Sequence, residues 1–221
     1  MRDKLKNKDY YKSFLNYQYE RIEKKTAKLK ESVGEKRQRV LLPLTGYEID
    51  LLKAEFSAGA SKENLKTLLI RAMDIVSENC NMTFDDLLTL LSLAVLLDAE
   101  SDAGKLIEVN ENMIGSDRLL DCISSYIKSG TINWDKNIPL KEEYDLLNQV
   151  FCASDKEEAL KEYLAKWYEA HSGYAWYNAH LRDTDTYCGY WSFESAAIVK
   201  MMNLDSTKID DSVYYPVLYN F

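Results

Sequence analysis

Residues 87–100 read LLTLLSLAVLLDAE, and this stretch constrains the chain more than any other. It is apolar on nearly every side, and a helix with no polar face is stable only when other elements wrap it. Thr83-Phe-Asp-Asp86 just ahead has capping character, so the helix has a defined start. The chain must therefore supply several amphipathic elements to surround one central helix.

It supplies them at helical spacing. Tyr11, Phe14, Leu15, Gln18, Ile22, Thr26, Leu29 and Val33 recur in steps of three and four, which predicts one helix over 3–33. Gly34 and the charged run EKRQR are expected to end it. A second helix fits 47–58, with Gly59 as its stop, and a third opens at Ser61 and carries Leu65 to Val76. Further helices fit 103–113, 117–128 and the segment LKEEYDLLNQVF. Ser154 and Glu157 form an S-x-x-E capping box ahead of ALKEYLAKWYEAH. SGTINWDKNIP, 129–139, is irregular and reads as a loop and as a seam between parts 1–128 and 129–221. No segment alternates with period two, and 8 Gly and 3 Pro leave few tight turns. The expectation is an all-α fold of roughly eight to ten helices with an aromatic-rich C-terminal part.

No apolar run nears the roughly 18 residues of a membrane span. The opening MRDKLKNKDYYK is basic but lacks the apolar stretch of a signal peptide. A cytoplasmic location is expected, without membrane contact. Cys80, Cys122, Cys152 and Cys188 form no C-x-x-C pair and read as small buried apolar side chains. The net charge of −8 divides unevenly: 1–40 carry +7 and 41–221 carry −15. An acidic body repels nucleic acid and attracts basic partners. The basic first helix reads as docking on that body or as a dimerisation element.

From Tyr163 onward aromatic residues crowd, with His171 and His180 among them. A hydrolase reading would use Glu194 as an acid with His180 as its partner; a metal reading would recruit the two histidines and an aspartate. Neither has a supporting motif: G-x-S-x-G, H-x-x-x-H, E-x-x-H and the phosphate-binding glycine loops are all missing. YCGYWSFESAAIVK, 187–200, has a simpler structural reading. Gly189 permits positive φ, Ser192 caps a helix, and Glu194 sits in its first turn where the dipole favours a carboxylate. The small pair Ala196-Ala197 admits a neighbouring helix. Glu194, His171 and His180 then serve as partners for buried Tyr and Trp groups.

WYEAHSGYAWYNAH followed by YCGYWSFESAAIVKMMNLDSTKIDDSVYYP resembles the C-terminal signature of the PoNi family of bacterial immunity proteins. KAEFSAGASKENLK, 53–66, resembles the Y/F-S-x-G segment of that family's N-terminal part. Trp176, Tyr177, His180, Tyr187, Gly189, Tyr190, Trp191, Phe193, Glu194, Tyr215 and Pro216 match signature positions. The family often continues Tyr-Tyr-Pro into a Tyr/Asp/Leu run, whereas this chain reads VLYNF there. The resemblance implies a non-catalytic, all-helical protein without metal or cofactor, whose partner is a cognate toxin domain. The name-giving members block a DNase toxin of the PD-(D/E)xK type. A nuclease site that grips phosphate is basic, so an acidic surface can cover it. Candidate contacts are acids outside the signature: Asp98, Glu100 and Asp102, and Asp183 and Asp185. The signature itself reads as scaffold.

Overall fold

The computed structural model describes residues 1–78 and 82–218, and within them the chain is all α-helical. Ten α-helices run in order among the described residues: α1 Lys8–Lys30, α2 Gly34–Ala58, α3 Lys62–Val76, α4 Phe84–Leu96, α5 Gly104–Val109, α6 Glu111–Ile114, α7 Arg118–Ser129, α8 Leu147–Cys152, α9 Lys156–Ala170 and α10 Phe193–Met202. Cys80, Tyr219 and Phe221, each included in the readings above, lie outside the described residues.

The central helix stands where its composition demands. Thr83 accepts from the Asp86 amide to open α4, and every residue of Leu90–Leu96 is buried. α10 packs along it, with Ala196 and Ala197 fully buried, and α3 and α7 cover other sides. The larger core runs from Tyr11 on α1 through α4 to Tyr215 near the end.

The boundaries differ from expectation in instructive ways. α1 starts at Lys8 because the Asp3 carboxyl accepts from the Leu5 and Lys6 amides and Asn7 then caps the helix. EKRQR does not end the first helix; it opens α2. Gly34, at φ 55°, turns the chain, and Arg37 folds back to donate to the Leu29 carbonyl at 3.1 Å. The run has no apolar residue before Val40, and Pro43 sits inside the helix, so its periodicity is hidden. Val40, Leu41, Leu44 and Leu51 nevertheless close a smaller core with Ile22 and Leu29. The expected helix 103–113 is split at Asn110, whose side chain takes the Leu106 carbonyl at 2.8 Å. The segment after 140 begins as a 3-10 turn, Glu142–Tyr144, before α8. The cap of α9 is Asp155, which accepts from the Glu158 amide at 3.0 Å, one residue beyond the expected Ser154.

The 129–139 loop is held by one side chain. Buried Arg118 donates to the carbonyls of Asp135, Lys136 and Ile138 and to Asn148 Oδ1. The basic first helix docks on α2 with Tyr11, Phe14, Gln18, Ile22 and Leu29 buried, and its Arg21 guanidinium lies 3.5 Å from the centre of the Tyr47 ring. Cys122 is buried as expected, but Cys188 is half-buried and Cys152 is exposed at the end of α8. No helix among the described residues is long and apolar enough to cross a membrane.

Candidate functional site

The two stretches that carried the resemblance meet in space. α2 ends on Phe56-Ser57, and the 187–193 segment crosses that end. The Trp191 indole donates to Ser57 Oγ at 2.8 Å, and Ser57 Oγ donates to the Cys188 carbonyl at 2.7 Å. Phe56 meets Trp191 and Phe193 edge-on, both with centroids 5.1 Å away. Gly189, at φ 112°, is where the backbone passes this joint. A Cβ there would collide with Ser57 Oγ and the Trp191 indole nitrogen. The extreme N-terminus joins in: Tyr187 donates to Asp3 at 2.6 Å, Tyr10 to the Tyr187 carbonyl at 2.7 Å, and Arg2 to the Phe56 and Ala60 carbonyls.

Behind this joint lies Glu194, in the first turn of α10 and buried. Its Oε1 accepts from Tyr163 at 2.6 Å, Trp167 at 2.7 Å and Ser192 at 2.5 Å. Ser192 therefore spends its hydroxyl on Glu194 and makes no side-chain cap bond to α10. Burial, together with Glu194, holds the Tyr163 hydroxyl far above the usual phenol range. His180 belongs to another set. Its Nδ1 lies 3.0 Å from the Tyr190 hydroxyl, which also donates to the Trp176 carbonyl at 3.3 Å. His171 Nδ1 faces the Trp167 carbonyl at 2.6 Å, and rings of Tyr144, Trp167, Tyr174 and Trp176 surround it. The Glu194–His180 pairing that a hydrolase would need is thus not made, since each group is engaged by different residues. Both histidines and Glu194 do act as partners for the aromatic cluster, His171 through a main-chain carbonyl. Tyr177 bonds Glu169 at 3.0 Å, while Tyr215 and Pro216 are buried beside α10. Among the described residues no three His, Cys, Asp or Glu side chains group as metal ligands.

In front of Glu194 opens a cleft of about 380 Å³ between α2, the start of α4 and the 171–191 segment. Asp50 and Lys53 from α2, Asp85 and Asp86 from α4, and Tyr174 and Trp176 face it. The four charged residues are half-buried. Burial pushes the Asp50 and Asp85 carboxyls above the usual range, with Lys53 pulling the other way. For Lys53 burial acts against the charge, yet Cys188 and the three aspartates outweigh it and raise its pKa. Among the described residues the Lys53 ammonium makes no hydrogen bond or ion pair, although three acids share its cleft. Cys188 donates weakly to Asp50 at 3.9 Å, and burial lifts its thiol to about 12. Sequence reasoning missed this group. Asp85 and Asp86 read there as part of a helix start, and Asp50 and Lys53 were not singled out.

The acids singled out in the sequence fall into two groups. Asp98 is gripped by Lys62 and Lys200, and Glu100 lies 3.9 Å from Lys200. Those lysines, Lys200 first, hold the Asp98 carboxyl down at about 2. Asp102 is exposed and accepts from Ser101 at 3.3 Å. Asp183 and Asp185 are exposed on the segment leading to Thr186, which lines the cleft, and form no ion pair among the described residues.

The family pattern for PoNe immunity proteins (PoNi), C-terminal, matches residues 115–217, and the N-terminal pattern of the same family matches 2–108. The chain belongs to the PoNi family. Its two family parts are the ones that interlock at Ser57 and Trp191. The fold is also that of protein PA2201 from Pseudomonas aeruginosa, with a TM-score of 0.62 at 18% identity over 81% of this chain and 72% of that one. No curated protein matches the chain.

Proposed function

We propose that this PoNi-family chain neutralises a cognate antibacterial toxin by binding it, without chemistry of its own, and that the toxin is a DNase of the PD-(D/E)xK type. The observation that carries this reading is the placement of charge. The body beyond residue 40 holds −15, and exposed Asp183 and Asp185 stand at the approach to a cleft with three further aspartates. A nuclease site must be basic to hold DNA, so such a surface speeds encounter and competes with phosphate for the same ground. Asp98 and Glu100 already serve lysines of this chain, which ranks them behind Asp183 and Asp185 as contacts; Asp102 stays a rim candidate.

The test is co-purification with the toxin domain encoded alongside, followed by a DNA-cleavage assay of the pair. A stable complex with cleavage abolished is expected. The double charge reversal Asp183→Lys/Asp185→Lys should weaken the complex about ten-fold or more. A complex that still cuts DNA removes the nuclease reading, and unchanged affinity of the double variant removes these two contacts.

A further inference from the structure

A second recess, of about 310 Å³, opens between residues 1–5, the 187–191 segment and residues 210–217. Tyr187, Tyr190, Trp191 and Tyr214 line it. Most polar groups there are spent inside the chain. The Tyr187 hydroxyl goes to Asp3, the Trp191 indole to Ser57, the Tyr190 hydroxyl to the Trp176 carbonyl and the Arg2 guanidinium to the Phe56 and Ala60 carbonyls. An occupant therefore meets mainly ring surface, already fixed in place, and loses little to ordering the lining. Leu5 and Val213 border the recess, 51% and 80% exposed. Single exposed apolar side chains are ordinary, but two flanking one aromatic recess make a patch.

Charge decides what fits. Lys4 stands next to Leu5, and Asp210 and Asp211 shortly precede Val213. All three line the recess, are exposed and form no ion pair among the described residues. The two bordering segments are thus opposite in sign, and a partner of one sign meets a like charge on one of them. A second copy does not. A two-fold axis along the recess lays the 1–5 segment of each copy over the 210–213 segment of the other, so Lys4 meets Asp210 and Asp211 twice. We propose that this chain pairs with a second copy of itself through the recess, Leu5 and Val213 of each entering the ring-lined space of the other. The net charge of −8 on each copy does not forbid it, since salt screens exposed charges beyond about 8 Å and the rim pairs lie closer. Nothing in this pairing rests on the toxin reading.

The experiment is analytical ultracentrifugation of the full chain from about 1 to 300 µM, with a monomer–dimer equilibrium in the micromolar range expected of a small interface. Lys4→Glu alone, and Asp210→Lys/Asp211→Lys alone, should each weaken association about ten-fold or more. The three substitutions together should restore it, because the swap keeps opposite charges facing. Val213→Glu places a charge at the apolar contact and should leave a monomer. All these side chains are exposed, so thermal melts should show the parent's fold in each variant. A parent that stays monomeric throughout, or a dimer that none of the variants weakens, overturns the proposal. A triple variant no better than Lys4→Glu does so too. Toxin domain is titrated onto the parent and Val213→Glu in parallel. A monomeric parent whose toxin binding is lost in Val213→Glu would assign the recess to the toxin instead of a second copy.

Discussion

Two sets of acidic groups lie at opposite depths of one cleft, and they are built differently. Glu194, at the back, receives three hydrogen bonds from Tyr163, Trp167 and Ser192 and is sealed among rings. Asp50, Asp85 and Asp86, toward the front, are half-buried around Lys53, with Thr83 donating to Asp86 at 2.7 Å and Cys188 only weakly to Asp50 at 3.9 Å. A buried polar group whose partners are all internal fixes one packing arrangement and has nothing left to offer a ligand. Half-buried carboxyls cost stability to the extent that burial penalises their ionised forms more than their neighbours favour them. The comparison separates a sealed carboxyl from half-buried ones that stay open to solvent, although both sets contain the residue types expected of an active site.

The largest effect should come from the joint that aligns the two sets. Gly189→Ala imposes a side chain at φ 112° and pushes it into the Ser57–Trp191 hydrogen bond. Backbone strain and overpacking together should cost about 4 kcal/mol, read as a shift of the urea midpoint. Gly130 has φ 70° with open space around it, so Gly130→Ala isolates the backbone contribution at about 1 kcal/mol. Equal losses at both positions would mean that the Ser57–Trp191 contact does not hold the two family parts together.

Next comes Glu194. Truncation in Glu194→Ala strands the Tyr163, Trp167 and Ser192 donors in the core and should cost roughly 3 kcal/mol. Glu194→Gln keeps an acceptor and should cost about 1 kcal/mol. Per folded molecule, both variants should protect against toxin as the parent does. A Glu194→Gln protein with normal melting but lost protection would move Glu194 from the architectural set to the functional one.

How much of this could be read in the chain follows from which interactions are local. LLTLLSLAVLL announced the central helix because burial all round leaves a local trace, and Ala196-Ala197 announced its close neighbour. The partnership of Glu194 with Tyr and Trp groups was legible as a class, because a carboxyl surrounded by aromatics needs donors. Which donors could not be read: Tyr163 and Trp167 come from α9, about thirty residues earlier. α2 was read thirteen residues too short, since EKRQR and Pro43 mask the apolar stripe that Val40, Leu41 and Leu44 continue. The cleft was invisible for the same reason. Asp50 and Lys53 lie about four to five helical turns into α2, Asp85 and Asp86 open α4, and only tertiary packing sets them around one space. The lysines that pair with Asp98 could not be read either, because they sit on α3 and α10.

The finest distinction lies in pH dependence, where Asp98 and Asp85 should move in opposite directions. The hydrogen bonds from Lys200 and Lys62 lower the Asp98 carboxyl to about 2, below its unfolded value of 3.8. Its stabilisation is therefore complete above pH 3.8 and fades as pH falls toward 2. Asp98→Asn should cost less than about 1 kcal/mol at neutral pH, since solvent screens these exposed pairs. Asp85 is the reverse. Burial raises its carboxyl above the unfolded value, so the ionised form burdens the fold at neutral pH, and the burden disappears on protonation below 3.8. Asp85→Asn should thus raise the melting temperature at pH 7 by about 2 °C. Thermal melts of the three proteins from pH 7 down to pH 3 measure both slopes. The Asp85→Asn advantage should shrink as pH falls, because the parent then carries a neutral carboxyl too. A variant less stable than the parent at pH 7 would mean that the Asp85 charge is matched inside the chain, and the front of the cleft would join the back as architecture.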